Sequence, residues 1–352
     1  MDKRWLEAAF EPPRAHGEPL ARGALRVEPE DFSVEEELGF APAGSGQHVL
    51  LKVRKRNANT QWVARKLAQS CGCRPADVGY AGLKDRRAVA VQWFSVPQSR
   101  LTPEAWRAVG GTDFEVLEAH AHSRKLPRGA LAANSFTIRI RNAAVEDSRL
   151  AQRAAEIRRR GVPNYFGPQR FGRDGANLVR AAEEPHSLRA PERGLVLSAA
   201  RSLVFNAVLA ERVRDGSWEH LEEGDIANLD GRGSIFPVDS LDQELRARCE
   251  RLEIHPTGPL WGRGGPGSSR RVLELEARVA AEFPQACALT AGAGMRQERR
   301  SLRLAVHDLS WARASATIEV RFRLVRGSFA TAVLRELVES DAAKQGDSES
   351  DY

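Results

Sequence analysis

The chain has 352 residues, 42% hydrophobic and 28% charged, which fits an ordinary globular protein of two domains or of one domain carrying a large insertion. Lys and Arg number 53 against 47 Asp and Glu; without the last twelve residues the body holds 52 bases against 43 acids, an excess that admits RNA or DNA as a partner. No apolar run approaches the ~20 residues of a bilayer span. The first residues have neither the apolar core nor the cleavage site of a secretory leader, so we expect a cytoplasmic protein with no membrane partner.

Residues 1–24 read as irregular, with Pro12, Pro13 and Pro19. Alternation of Phe32, Val34 and Glu36 predicts a strand, and Val49 to Val53 a buried one. Asn59 or Thr60 can cap a helix that turns Trp62, Val63 and Leu67 inward and ends near Gly72. Val89, Val91 and Trp93 alternate after a loop from Tyr80 to Arg87. Phe136, Ile138 and Ile140 alternate with Thr137, Arg139 and Arg141, which predicts a half-buried strand with a basic outer face. A helix follows. Glu146 and Asp147 open it, Leu150, Ala154 and Ile157 line its inner stripe, Arg158 to Arg160 close it, and Gly161 and Pro163 stop it.

The texture changes after Pro163. Asn164 to Gly175 is rich in glycine and aromatics, a long helix is predicted over Ser198 to Arg214, a flexible stretch over Gly262 to Gly267, and a helix over Arg271 to Phe283. Ile318, Val320, Phe322 and Leu324 then form a last strand. It runs through Gly327 into a helix capped by Ser328 and ending near Ser340, followed by a disordered acidic tail. A lone final strand needs a sheet to join, and the first segment has one. We therefore infer a discontinuous domain interrupted by an insertion.

No phosphate loop, H-E-x-x-H, deaminase zinc signature, dinucleotide fingerprint or nucleophile elbow occurs, which argues against nucleotide hydrolysis, zinc deamination and serine hydrolysis. Cys71, Cys73, Cys249 and Cys287 lack zinc spacing and read as reduced thiols. The loop from Gly79 to Arg87 sets Asp85 beside Lys84, Arg86 and Arg87. Neighbouring positive charge keeps a carboxylate ionised, so Asp85 reads as a nucleophile or general base, or else as a surface ion-pair member. Basic residues cluster at Lys52, Arg54, Lys55 and Arg56; at Arg124, Lys125, Arg128, Arg139 and Arg141; and at Arg296, Arg299, Arg300 and Arg303. Each cluster alone reads as a solvated face, and the three together as a surface that tracks phosphates. Phe32 and Phe329 lie beside polar residues, where an aromatic can stack a flipped base or pack a core.

Gly82-Leu83-Lys84-Asp85-Arg86-Arg87-Ala88-Val89-Ala90-Val91-Gln92 resembles the central motif of the TruD-type tRNA pseudouridine synthases. Further matches follow in that family's order: Pro29 to Glu36, Lys125 to Phe136, Pro163 to Gly172, and Gly327 to Thr331. The resemblance implies an isomerase that converts uridine to pseudouridine in tRNA, at position 13 of the D-stem. Asp85 matches the family's nucleophilic aspartate. Phe32, Asn134 and Phe329 match uridine-contacting positions, and Arg26 falls where a Lys near the aspartate is common. We place Lys84 with these as substrate-binding, and Arg124, Lys125, Arg128, Arg139 and Arg141 on the RNA backbone. The implied fold is α/β (α+β), a mixed, largely antiparallel sheet flanked by helices, with an inserted α/β domain. It would divide into a catalytic segment 1–159, an insertion 160–303, a catalytic strand–helix 304–340 and a tail 341–352. The isomerisation gains no atom and loses no electron, so we expect no cofactor, metal or nucleotide, and a monomer with tRNA as its partner. Two rivals share the scaffold: a non-catalytic RNA-binding protein, and an N-glycosylase that turns the same carboxylate on water.

Overall fold

The structure is a computed structural model and describes residues 2–183 and 192–340, so the tail from residue 341 lies outside the described residues. Its centre is an eight-stranded sheet. Across it the order is His307–Ala314, Thr317–Val325, Leu131–Arg141, Phe32–Leu38, Val89–Pro97, His48–Arg56 and Phe114–His122, with the short Gly79–Tyr80 pairing off Val89–Pro97. Neighbours are antiparallel except Phe32–Leu38 and Val89–Pro97, which run parallel with Val34 opposite Ala90. The sheet is thus mixed and largely antiparallel, as the resemblance implies. Two strands of this sheet rather than a lone one follow residue 303, His307–Ala314 and Thr317–Val325, and the second sets Phe322 opposite Phe136 and Leu324 opposite Asn134.

Side chains alternate between the two faces of a strand, so register sorts them. One face carries Phe32, Val34 and Glu36 opposite Ile138, Phe136 and Asn134. The helices Asp147–Arg160 and Ala330–Leu337 bury Leu150, Ala154, Ile157, Val333 and Leu337 against it. Farther along, the helix Thr60–Cys71 buries Val63 and Leu67 against Leu51, Val53 and Phe94. The other face is largely solvated and laced with cross-strand ion pairs: Lys52 with Glu35 and Glu118, Arg54 with Glu115, Arg323 with Glu37, and Arg139 with Glu319, which also pairs with Arg321 along its own strand.

The chain before residue 164 and the chain after residue 302 meet at one point. Val162–Pro163 pairs antiparallel with Arg303–Leu304, so the outgoing and returning chains hold each other. Gly161 makes this possible: its φ is +74°, and a Cβ there would meet the Leu304 carbonyl at 2.5 Å. Beyond the crossing lie a four-stranded antiparallel sheet and several helices around a separate apolar core. The central helix of that core, Glu192–Arg214, starts earlier than the sequence pattern indicates. By length and composition alone it could cross a membrane, with a mean hydropathy of 1.4 over an 18-residue window, contrary to the expectation from the sequence. Its run from Ser202 to Ala210 is buried inside the protein, which accounts for the composition.

Two local expectations are corrected. Residues 3–10 are not irregular but form a helix, capped by Asp2, whose Trp5, Ala8 and Ala9 pack into the core of the insertion. The last helix is capped by Phe329 rather than Ser328 and ends at Leu337; Val338–Ser340 then pairs in parallel with Ala21–Gly23.

Candidate active site

The loop between Tyr80 and Val89 folds over the sheet at its one parallel junction, and buried polar groups hold it there. Thr60 does not cap its helix with its hydroxyl. That oxygen accepts from the Lys84 amide at 3.0 Å and donates to Gln92 Oε1 at 3.0 Å. Gln92, fully buried, donates from Nε2 to the Gly82 carbonyl at 2.6 Å. Lys55, 1% exposed, donates from Nζ to the carbonyls of Ala58 at 2.6 Å and of Asp85 itself at 2.8 Å. Burial pushes the Lys55 ammonium down to about 8, with Asp85 opposing that shift.

Asp85 is thereby presented with its carboxylate half-exposed. Arg26 Nη2 donates to Asp85 Oδ2 at 2.8 Å, and the same guanidinium lies 4.3 Å above the ring of Phe32. Arg26 sits at φ +56°, a left-handed conformation that few side chains adopt and that strained functional loops tend to hold. One guanidinium thus meets the carboxylate through an N–H and the ring through its Cζ, which fits an arginine better than a lysine. The Phe32 ring is itself buried and meets Phe136 edge-on at 6.0 Å.

Next to this triad lies a second charged pair. Lys84 Nζ is 2.7 Å from Glu36 Oε1, and Glu36 Oε2 accepts from the Trp93 amide at 2.9 Å. The Lys84 ammonium is therefore committed to a fully buried carboxylate. Asn134 is opposite Glu36 in register and 8% exposed, and its Oδ1 is buried without a hydrogen-bond partner. An unpaired amide oxygen is costly to bury and stands ready for a donor. Phe329 caps the last helix just past the strand that carries Leu324 opposite Asn134, and is 36% exposed.

The basic residues divide. Arg124, Lys125 and Arg128 are exposed on the segment that packs beneath the loop: Gly129 donates to the Ala81 carbonyl at 2.7 Å, and Arg128 stacks over Tyr80 at 3.9 Å. A Cβ at Gly79 would meet the Leu126 carbonyl at 2.5 Å, so this approach needs a glycine. Arg139 lies on the opposite face of the sheet from Asn134, paired with Glu319 at 3.1 Å. Arg141 clasps buried Asp31 through Nε at 2.9 and 3.0 Å and also meets Glu28. The cluster from Lys52 to Arg56 is neutralised by carboxylates or, for Lys55, turned inward.

The cluster before the last strand does not form a phosphate-tracking surface. Arg299 is buried against Glu276 at 2.7 Å, and Arg303 is 3% exposed with donors to the carbonyls of Glu219, Cys249 and Ile254. Both are internal struts, and only Arg303 sits at the crossing, opposite Pro163. The four cysteines are free thiols, and burial raises those of Cys249 and Cys287.

Sequence reasoning missed three members of the site. Lys55 and Glu36 both carried a signal, since each continues an inward-facing alternation, Val49-Leu51-Val53-Lys55 and Phe32-Val34-Glu36. Gln92 gave none beyond lying in the motif.

The chain and its fold have parallels among known proteins. The family model for tRNA pseudouridine synthase D (TruD) matches residues 15–183 and 180–337. The tRNA pseudouridine synthase D of Methylococcus capsulatus is 48% identical over 341 residues, covering 94% of each chain. That of Nitrosococcus oceani is 45% identical over 332 residues, covering 92% of this chain and 93% of the other. A crystal structure from Methanosarcina mazei, described as a putative tRNA pseudouridine synthase D, superposes with a TM-score of 0.74 at 19% identity, covering 96% of this chain and 98% of that one. At that identity the likeness shows a shared fold.

Proposed function

The chain belongs to the tRNA pseudouridine synthase D (TruD) family, isomerases that act on tRNA, and from that premise we propose that Asp85 is the nucleophile acting on a flipped-out uridine at position 13 of the D-stem. The observation that carries this reading is the Asp85–Arg26–Phe32 arrangement: an ion-paired, half-exposed carboxylate on a loop held by buried hydrogen bonds. Pseudouridine formation breaks the N1–C1′ bond, turns the uracil and joins C5 to C1′; C5 gives up its proton and N1 ends protonated. A carboxylate can take up the electron-poor partner while the base turns. No electron leaves and no atom is added, so the reaction calls for no redox group or nucleotide.

The remaining residues suit the flipped base. Extruding it from a stack costs a few kcal/mol, which contacts in the pocket offset. The uracil N3–H is a donor, and the unpaired Oδ1 of Asn134 is an acceptor in search of one. Phe329 offers a partly exposed ring for stacking. Lys84 acts from its pair with Glu36, close to the substrate. Arg124, Lys125 and Arg128 meet the RNA backbone, and Arg139 and Arg141 do so only by exchanging their carboxylate partners. We read the catalytic domain as residues 1–159 and 304–340 and the insertion as 160–303, in a cytoplasmic monomer.

Nucleoside analysis of tRNA treated with the protein tests the reading, with the modified position mapped on the same sample. Pseudouridine at position 13 supports it. Unchanged uridine indicates a binding protein, and free uracil a glycosylase.

A further inference from the structure

We infer that Arg300, on the returning edge of the insertion, is a positioning residue for Phe329, so that the insertion takes part in the chemical step by setting the ring against which the uridine stacks. This rests on the reading of Phe329 as a uridine contact. The geometry is a relay of four residues. Asn206, buried in the long helix, accepts from the Phe166 amide at 2.9 Å and donates to its carbonyl at 3.0 Å, which fixes Phe166. The Arg300 guanidinium lies 4.3 Å over the Phe166 ring. From there its Nη2 donates to Asn164 Oδ1 at 2.7 Å and its Nη1 to the Gly327 carbonyl at 3.2 Å, two residues before Phe329.

The same guanidinium is 5.9 Å from the Phe329 ring, and the Phe166 and Phe329 rings are 6.2 Å apart at 54°. Arg170, also from the insertion, stands 6.0 Å from Phe329. Gly327 has φ +78°, so the turn that launches Phe329 is a flexible type of joint, and Arg300 holds its carbonyl.

Among the described residues no carboxylate pairs with Arg300. Its charge is met by ring faces, a carbonyl and an amide, a set that holds a planar guanidinium in one orientation. An arginine with a purely structural role is served as well by an acid, as Arg299 is by Glu276 within the insertion. A partly exposed aromatic that must receive a base, by contrast, needs its ring plane fixed before binding.

The test is a double-mutant cycle of Arg300→Gln and Phe329→Ala, read as single-turnover rate at saturating tRNA, as tRNA affinity and as melting temperature. If Arg300 acts through Phe329, Arg300→Gln slows the step by about tenfold or more while affinity moves less than about threefold, and it slows Phe329→Ala by less than about twofold. Rate losses that multiply, or a loss confined to affinity, overturn the inference. A Phe329→Ala variant with full rate removes the reading of Phe329 instead, which keeps the two failures apart. Should Arg300→Gln melt below the assay temperature, Arg300→Lys replaces it in the same cycle. Lysine keeps the charge and a donor for Gly327 but has no plane to lie over two rings. The same non-additivity is expected, and full activity of Arg300→Lys overturns the proposal.

Discussion

The buried ammonium of Lys55 donates a hydrogen bond to the main-chain carbonyl of Asp85 at 2.8 Å, so the residue proposed to do the chemistry is held from below by a cation that is itself 1% exposed. A loop whose own amides and carbonyls would otherwise face solvent is given a fixed floor: Lys55 under Asp85, Gln92 under Gly82, and Thr60 under Lys84. Such support makes a loop carboxylate precise enough for catalysis.

Replacing Lys55 with Met should therefore lower the single-turnover rate by roughly tenfold to a hundredfold, the range expected when a positioned group shifts by about an ångström. A stability signature accompanies it. The folded pKa of Lys55, about 8, lies below its ordinary value of 10.5, so between those values the unfolded chain binds more protons. The Lys55 contribution is thus least favourable below about 8 and improves as pH rises from there toward 10.5. Denaturant titrations of wild type and Lys55→Met at pH 7.5 and pH 10 should show wild type gaining relative to the variant. A constant difference would place Lys55 in contact with water.

A second pH effect has the opposite sign. His307 Nε2 is 3.1 Å from Asp230 Oδ2, joining the returning strand to the insertion, and this hydrogen bond raises the His307 pKa above 6.5. Asp230 is shared: its Oδ1 meets His255 Nε2 at 3.0 Å, and Arg303 donates to His255 Nδ1, so His255 carries its proton on Nε2. Stability from His307 is full below pH 6.5 and is lost as pH rises through the folded value. His307→Gln should destabilise the protein most at pH 6 and progressively less toward pH 9. A penalty that is flat with pH would mean that the pair does not carry charge.

Salt dependence separates the exposed cations from the committed ones. If Arg124, Lys125 and Arg128 each meet a phosphate, replacing all three with Ala lowers the log–log salt slope of tRNA binding by about 2, at roughly 0.7–0.9 per contact. Replacing Arg139, which is paired with Glu319 on the other face, should change the slope by well under 1. Equal slopes for the two variants would contradict this division.

Much of the architecture was legible because period-2 alternation was strong: Phe32-Val34-Glu36, Phe136-Ile138-Ile140 and Ile318 to Leu324 all form strands of one sheet. The change of texture at Pro163 coincides with the short pairing of Val162–Pro163 with Arg303–Leu304. What composition hid was the fate of charge. Arginines that look like a basic surface in the sequence are buried struts when carbonyls and acids distant in the chain converge on them. Arg303 and Arg299 have partners 23 to 84 residues away, a separation no local pattern encodes. The N-terminal helix was hidden for the same reason: at eight residues it is too short to stand alone, and the apolar core of the insertion stabilises it.

The central claim is that Asp85 performs the chemistry and contributes little to binding, and Asp85→Asn tests it most directly. The substitution keeps size and can keep the loop, since the Lys55 contact is to the backbone, but it removes the charge that Arg26 faces. Single-turnover pseudouridine formation and a tRNA binding titration are measured on one folded preparation. The account predicts product at background with affinity changed by less than about tenfold, or 1.4 kcal/mol. Substantial residual turnover, or loss of binding in step with loss of rate, would contradict it.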